Sequence, residues 1–128
     1  MAWLLDTSVA IVIRDGDHRY RTRIEALGVA AAISVITRIE LEGGVHREPD
    51  QAARRRARLD LFLANIAVLP FDDAAADVYR DILTATGFSR RKTLDRMIAA
   101  QAIVHDATLV TLNGADFADV PGLRLAAW

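Results

Sequence analysis

The chain contains no cysteine, which excludes disulfides, thiolate nucleophiles and cysteine-ligated zinc and fits a reducing compartment, so a cytoplasmic location is the expectation. Lysine is nearly absent as well. Lys92 is the sole lysine among 16 basic residues, which 17 acidic residues offset to a net charge of -1. Bulk charge therefore cannot draw this protein to a polyanion, and any nucleic-acid contact must come from local arginine clusters. No apolar run approaches the roughly 20 residues that span a bilayer, so no membrane partner is expected. The apolar start is interrupted by Asp6 and has no basic residue before it, unlike a signal peptide. With 3 prolines and 7 glycines there is no linker, low-complexity tract or internal repeat.

Several chemistries lack their residues. There is no Gly-x-Ser-x-Gly elbow and no phosphate loop ending in Gly-Lys-Ser or Gly-Lys-Thr. A phosphoaspartate hydrolase would carry a second acid two residues after Asp6, where Ser8 stands. A receiver-type signalling domain would show an acidic pair at the end of its first strand and a lysine after its fifth, and neither is present. His18 and His46 read as surface residues and His105 as a favourable cation at a helix end.

What is present is a 128-residue chain, 52% apolar and 26% charged, long enough for one domain that buries roughly two thirds of its unfolded surface. Ala2-Trp3-Leu4-Leu5 is a continuous apolar run, suited to a strand buried on both faces as in a parallel sheet. It stops at Asp6-Thr7-Ser8. Further strands are predicted over Ala31 to Ile36, Ile66 to Leu69, Leu109 to Thr111 and Leu123 to Ala126. Helices are predicted over Ser8 to Ile13, His18 to Leu27, Thr37 to His46, Pro49 to Ala64, from Asp72 or Asp73 to Gly87, and Leu94 to His105. Strands separated by helices imply right-handed crossovers and a parallel sheet covered on both faces.

Four acids are then argued to one edge of that sheet. Asp6 ends strand one, Glu40 lies in the first turn of the helix leaving strand two, and Asp116 follows strand four. Asp95 begins the helix that runs back to feed strand four. If strand four lies on the far side of strand one from strand two, all four surround a topological switch point. Each also has a local structural role available: Asp6 as an N-cap, Glu40 as the acid of a Thr37-x-x-Glu40 capping box, Asp95 as an acid favoured by the helix dipole. Separate capping roles do not explain convergence. Crowded carboxylates raise one another's pKa unless a cation intervenes. Oxygen donors without cysteine or paired histidines suit Mg2+ or Mn2+, and such a site suits phosphodiester hydrolysis. Two basic clusters accompany it. Arg54-Arg55-Arg56 with Arg58 reads as a solvated helix face, whereas Arg90-Arg91-Lys92 with Arg96, beside Asp95, reads as a group able to contact phosphate.

Leu5-Asp6-Thr7-Ser8, Thr37-x-x-Glu40-Leu41, Asp95-x-x-Ile98-Ala99-Ala100 and Leu109-Val110-Thr111-x-Asn113-x-x-Asp116-Phe117 with Pro121-Gly122-Leu123 together resemble the PIN domain of VapC-type toxins, over the whole chain and in register. The resemblance implies a three-layer α/β fold with a five-stranded parallel sheet in order 3-2-1-4-5 and helices on both faces. It implies a metal-dependent endoribonuclease, the toxin of a type II toxin–antitoxin module, inhibited by a small VapB-like antitoxin and assembling with it as a homodimer. Asp6, Glu40 and Asp95 match the family's three core acids, and Asp116 its more variable fourth. Thr7, Ser8, Thr111 and Asn113 fall where members place supporting polar groups. The basic Arg90-Arg91-Lys92 departs from the neutral residues of many members, and under the resemblance it would contact RNA together with Arg96. The alternatives are a PIN-like binding module without catalysis, which would be expected to lack a core acid, and a housekeeping PIN nuclease without an antitoxin.

Overall fold

A computed structural model describes residues 2–28 and 30–128. Five parallel strands form one sheet in the order β3-β2-β1-β4-β5, with β1 Ala2–Leu5, β2 Ala31–Ser34, β3 Ala67–Leu69, β4 Ala107–Thr111 and β5 Arg124–Ala127. Six helices connect them: α1 Thr7–Arg14, α2 His18–Ala26, α3 Val35–His46, α4 Ala52–Ala64, α5 Asp73–Thr86 and α6 Thr93–Val104. This is the expected order, with β1 at the centre. The chain leaves β1 toward β2 and returns on its other side as β4, so the switch point lies between β1 and β4 at their carboxyl ends.

Side chains alternate across a strand, so neighbours on β1 serve different cores. Leu4 and Leu109 face α5 and α6, packing with Ile82, Ile98 and Phe117. Leu5, Ile33 and Val110 face the other layer, with Val9 and Ile13 of α1, Leu41 and Val45 of α3 and Leu59 of α4. All five residues of β4 are buried, as expected for a strand covered on both sides. On α6, Ala99, Ala100 and Ala102 are fully buried, and such small residues let a helix lie close to the sheet.

Boundaries moved where a short polar side chain outcompeted strand propensity. The strand predicted to Ile36 ends at Ser34, because the Ser34 hydroxyl accepts from the Ile36 N–H at 2.9 Å and caps α3. Thr37 is therefore already inside the helix, so the capping box predicted for Thr37 and Glu40 does not form. Pro49–Gln51, Arg90–Lys92 and Gly114–Phe117 are short 3-10 turns.

Candidate active site

Asp6 stands immediately after β1 and is 4% exposed. Its backbone N–H continues the parallel ladder by donating to the Val110 carbonyl at 3.0 Å. Its carboxylate is held from three directions. Oδ1 accepts from the Val9 N–H at 3.0 Å, capping α1, and from the Ser8 hydroxyl at 2.6 Å, while Oδ2 accepts from the Thr111 hydroxyl. The capping role read from the sequence is thus real, and it fixes the carboxylate without excluding chemistry.

The two hydroxyls are themselves oriented. The Leu112 N–H donates to Ser8 Oγ at 3.1 Å, and the Asn113 N–H donates to Thr111 Oγ1 at 2.9 Å. With their acceptor sides occupied by backbone donors, both hydroxyls direct their protons at the Asp6 carboxylate. Ser8 and Thr111 therefore both bond the Asp6 carboxylate. Asn113 contributes through its backbone, and its side chain is exposed.

Glu40 is released from capping by Ser34 and is held instead by Thr7, whose hydroxyl donates to Oε1 at 2.8 Å and lies 3.0 Å from the Thr37 hydroxyl. Thr7 begins the helix that Asp6 caps, so one short segment supplies the first acid and orients the second. Replacing Thr7 with Val keeps the shape and removes this bond. For the metal-dependent nuclease expected from the sequence, cleavage rates should fall by about tenfold, the lower range for loss of a partner that orients a metal-site ligand, with the fold intact by circular dichroism. Unchanged kinetics would show that Glu40 needs no orienting partner.

Asp95 sits in the first turn of α6, half-buried, with its pKa pushed up to about 6. Burial is the largest cause, followed by the charges of Asp116, Asp6 and Glu40, against the opposing charge of Lys92. Asp95 thus feels the charges of the other three acids named from the sequence. Among the described residues, however, no group of three or more such side chains is already gathered so that it could hold a metal ion. Asp6 and Glu40 are each turned toward their own hydroxyl partners, and Asp116 is exposed on a 3-10 turn. The donor set fits a hard divalent cation: it is made of oxygens, and its mutual repulsion is the kind a cation relieves.

The basic group divides. Arg90 and Arg91 are exposed beside the site. Arg96, grouped with them from the sequence as an RNA contact, is 3% exposed and turned inward: it donates to the Gly87 carbonyl at 2.7 Å and to Asp119 at 3.2 Å. Lys92 also approaches Asp119, at 3.6 Å. Arg96 and Lys92 tie the segment before α6 to the loop that follows Asp116. Arg96 is therefore corrected from a phosphate contact to an internal brace, because a helical residue one turn from the start of α6 points back under the preceding loop.

Gln101 was not singled out from the sequence. It is fully buried in α6, bonded to the Ser34 hydroxyl and donating through Nε2 to the carbonyls of Leu69 and Pro70 at 3.1 and 2.9 Å. It joins the carboxyl ends of β2 and β3 to α6 and so links the helix of Glu40 to that of Asp95. A lone Gln among apolar helical positions was its only signal.

The sheet order with an acidic edge at the β1/β4 switch point defines a class, and the family model for the PIN domain matches residues 3–123. The chain is 30% identical over 136 aligned positions to Ribonuclease VapC2 of Rickettsia felis, covering 100% of this chain and 98% of that one. It is likewise 30% identical over 131 positions to the tRNA(fMet)-specific endonuclease VapC of Shigella flexneri, covering 100% and 98%. Among solved structures it is similar to VapBC2 of Rickettsia felis bound to a DNA fragment from their promoter, with a TM-score of 0.87, 28% identity and 100% and 99% coverage. It is also similar to DNA-bound VapBC of Salmonella typhimurium, with a TM-score of 0.85, 28% identity and 100% and 98% coverage. The chain belongs to the PIN-domain family, and within it to the VapC ribonucleases.

Proposed function

We propose that this chain is the endoribonuclease toxin of a VapBC-type pair, with Mg2+ or Mn2+ as its cofactor. The observation that carries the reading is Asp95, half-buried and within electrostatic reach of Asp116, Asp6 and Glu40, with all three core acids retained. That retention disfavours a binding module without catalysis. Asp6, Glu40 and Asp95 would hold the cation, with Asp116 beside them. When bound, such an ion supplies Lewis acidity, acidifying a water for attack on phosphorus and offsetting charge on the departing oxygen. The chain's own part is to keep its donors aimed: Ser8 and Thr111 on Asp6, Thr7 on Glu40. Attack by water predicts RNA products with 5'-phosphate and 3'-hydroxyl ends. Cyclic 2',3'-phosphate ends made by the pure protein would overturn the mechanism, because they require attack by the ribose hydroxyl.

The proposed partner is a VapB-like antitoxin. A groove of about 500 Å3 runs between α1, α2 and α4, with Ile13, Ile24 and Phe62 in its lining and Arg14, Arg21 and Arg58 among its polar residues. Leu61, 66% exposed, also lines it. A second cleft, lined by Thr7 and Glu40, shares Arg14 with the groove, so a segment seated in one can continue to the acids. A basic side chain reaching Asp6, Glu40 or Asp95 would then exclude both metal and phosphate. The complex is expected to assemble around a homodimer of this chain. Co-expression with the adjacent small reading frame should yield a stable complex of low nuclease activity, and degradation of the partner should restore cleavage. If no neighbouring product binds the chain or protects cells from it, a housekeeping nuclease is the better reading.

A further inference from the structure

Phe88 is 74% exposed, the most exposed of the large apolar side chains, yet the backbone that carries it is clamped on both sides. Buried Arg96 donates to the Gly87 carbonyl at 2.7 Å. The Thr93 hydroxyl and the Lys92 N–H both donate to the Ser89 carbonyl, each at 3.1 Å. Gly87 itself has φ of +79°, a conformation natural to glycine, and it turns the chain sharply out of α5. A phenyl ring held in water by a braced loop contributes little to folding, since it leaves water only slightly and packs on neither core.

Its neighbours give it a ligand. Exposed Arg90 and Arg91 follow within three residues, and the 3-10 turn Arg90–Lys92 leads straight into the first turn of α6 and Asp95. Ser89 is extended, so with about 3.3 Å for each of the first two steps and about 1.5 to 2 Å for each of the five that follow, Phe88 lies within roughly 17 Å of Asp95. An aromatic face beside arginines is the pairing that binds single-stranded nucleic acid, the ring stacking a base while guanidinium groups hold the backbone. The apolar groove assigned to the antitoxin lies against α1, α2 and α4, whereas Phe88 stands between α5 and α6 across the sheet. The two surfaces are separate.

We propose that Phe88 is a base-stacking platform for single-stranded RNA, holding a nucleotide next to the one cleaved, with Arg90 and Arg91 gripping the adjoining phosphates. This rests on the ribonuclease reading and adds a specificity-determining contact to it. Arg96, through Gly87 and Asp119, is a positioning residue that holds the platform in register with the Asp116 loop.

The test compares Phe88→Ala and Phe88→Trp with the unaltered chain, using a single-stranded RNA oligonucleotide that the unaltered chain cleaves. Phe88→Ala should raise KM by about five- to 150-fold, the range for loss of one stacked base, with kcat changed less than about threefold. Phe88→Trp should restore KM. Binding of the same oligonucleotide by fluorescence anisotropy, with Asp95→Asn in all three backgrounds, should show the same order of affinities. This arm stands even if the unaltered chain cuts no RNA offered, an outcome that would count against the ribonuclease reading; a random-sequence oligonucleotide then serves as the probe. Unchanged KM and unchanged anisotropy in Phe88→Ala would overturn the platform. So would a loss of dimer mass or of antitoxin binding with RNA affinity intact, which would make Phe88 a protein contact.

Discussion

Asp95→Asn is expected to raise the melting temperature of the ion-free protein above pH 6 while cutting RNA cleavage by more than about a hundredfold, the upper end of what loss of a partner outside the ligand set costs. The two effects share one cause. With the Asp95 pKa pushed up from 3.8 to about 6, the folded protein binds this proton more tightly than the unfolded chain does. The contribution to stability therefore falls as pH rises from about 4 to 6 and stays low above that window. The penalty in neutral solution, discounted for partial solvent exposure, is on the order of 1 to 2 kcal/mol. An acid in the first turn of a helix gains about 0.3 to 1 kcal/mol from the dipole, so burial of the charge, with the neighbouring acids' repulsion, outweighs it and Asn should stabilise. A gain of up to roughly 7 °C at pH 7.5, vanishing near pH 4, is the result to look for in thermal melts. A lower melting temperature at neutral pH would mean that Asp95 is held by favourable contacts.

Gln101→Leu is expected to have the largest effect on folding. The substitution keeps volume and removes every bond that Gln101 makes to Ser34, Leu69 and Pro70. The Ser34 hydroxyl is fully buried and loses its acceptor, which costs about 1 to 3 kcal/mol, a large part of the stability of a domain this size. Activity should fall further than unfolding explains, because Ser34 caps the helix that carries Glu40. Chemical denaturation measures the first effect, and rates normalised to folded protein measure the second. Near-wild-type stability would show that the polar connection between the sheet edge and α6 is dispensable.

The parallel sheet and its strands were legible because apolar runs broken by helical periodicity are features that a sequence displays, whereas the order 3-2-1-4-5 followed from the resemblance to the PIN domain. Asp6 could be placed from Leu4-Leu5 alone. The local role of Glu40 was misread because Thr37-x-x-Glu40 matches a capping box as well as Ser34 matches a cap, and propensity could not choose between them. The choice was made by Gln101, which is 67 positions from Ser34 in the chain and bonds its hydroxyl. Arg96 failed for a similar reason. Neighbouring arginines look alike in sequence, and only the helix geometry that turns Arg96 beneath Gly87 separates it from exposed Arg90 and Arg91. The hydroxyl relay onto Asp6 was likewise hidden, since it joins Ser8 to Leu112 across 104 positions.

Calorimetric titration of Mn2+ into the unaltered protein, Asp95→Asn and Glu40→Gln is the most direct measurement of whether these acids form one cation site. The four-acid site predicts saturable binding by the unaltered chain, weakened at least about tenfold in each variant, since each removes one charge from a shared ligand set. Equal affinity in all three proteins, or no binding by the unaltered chain, would contradict it.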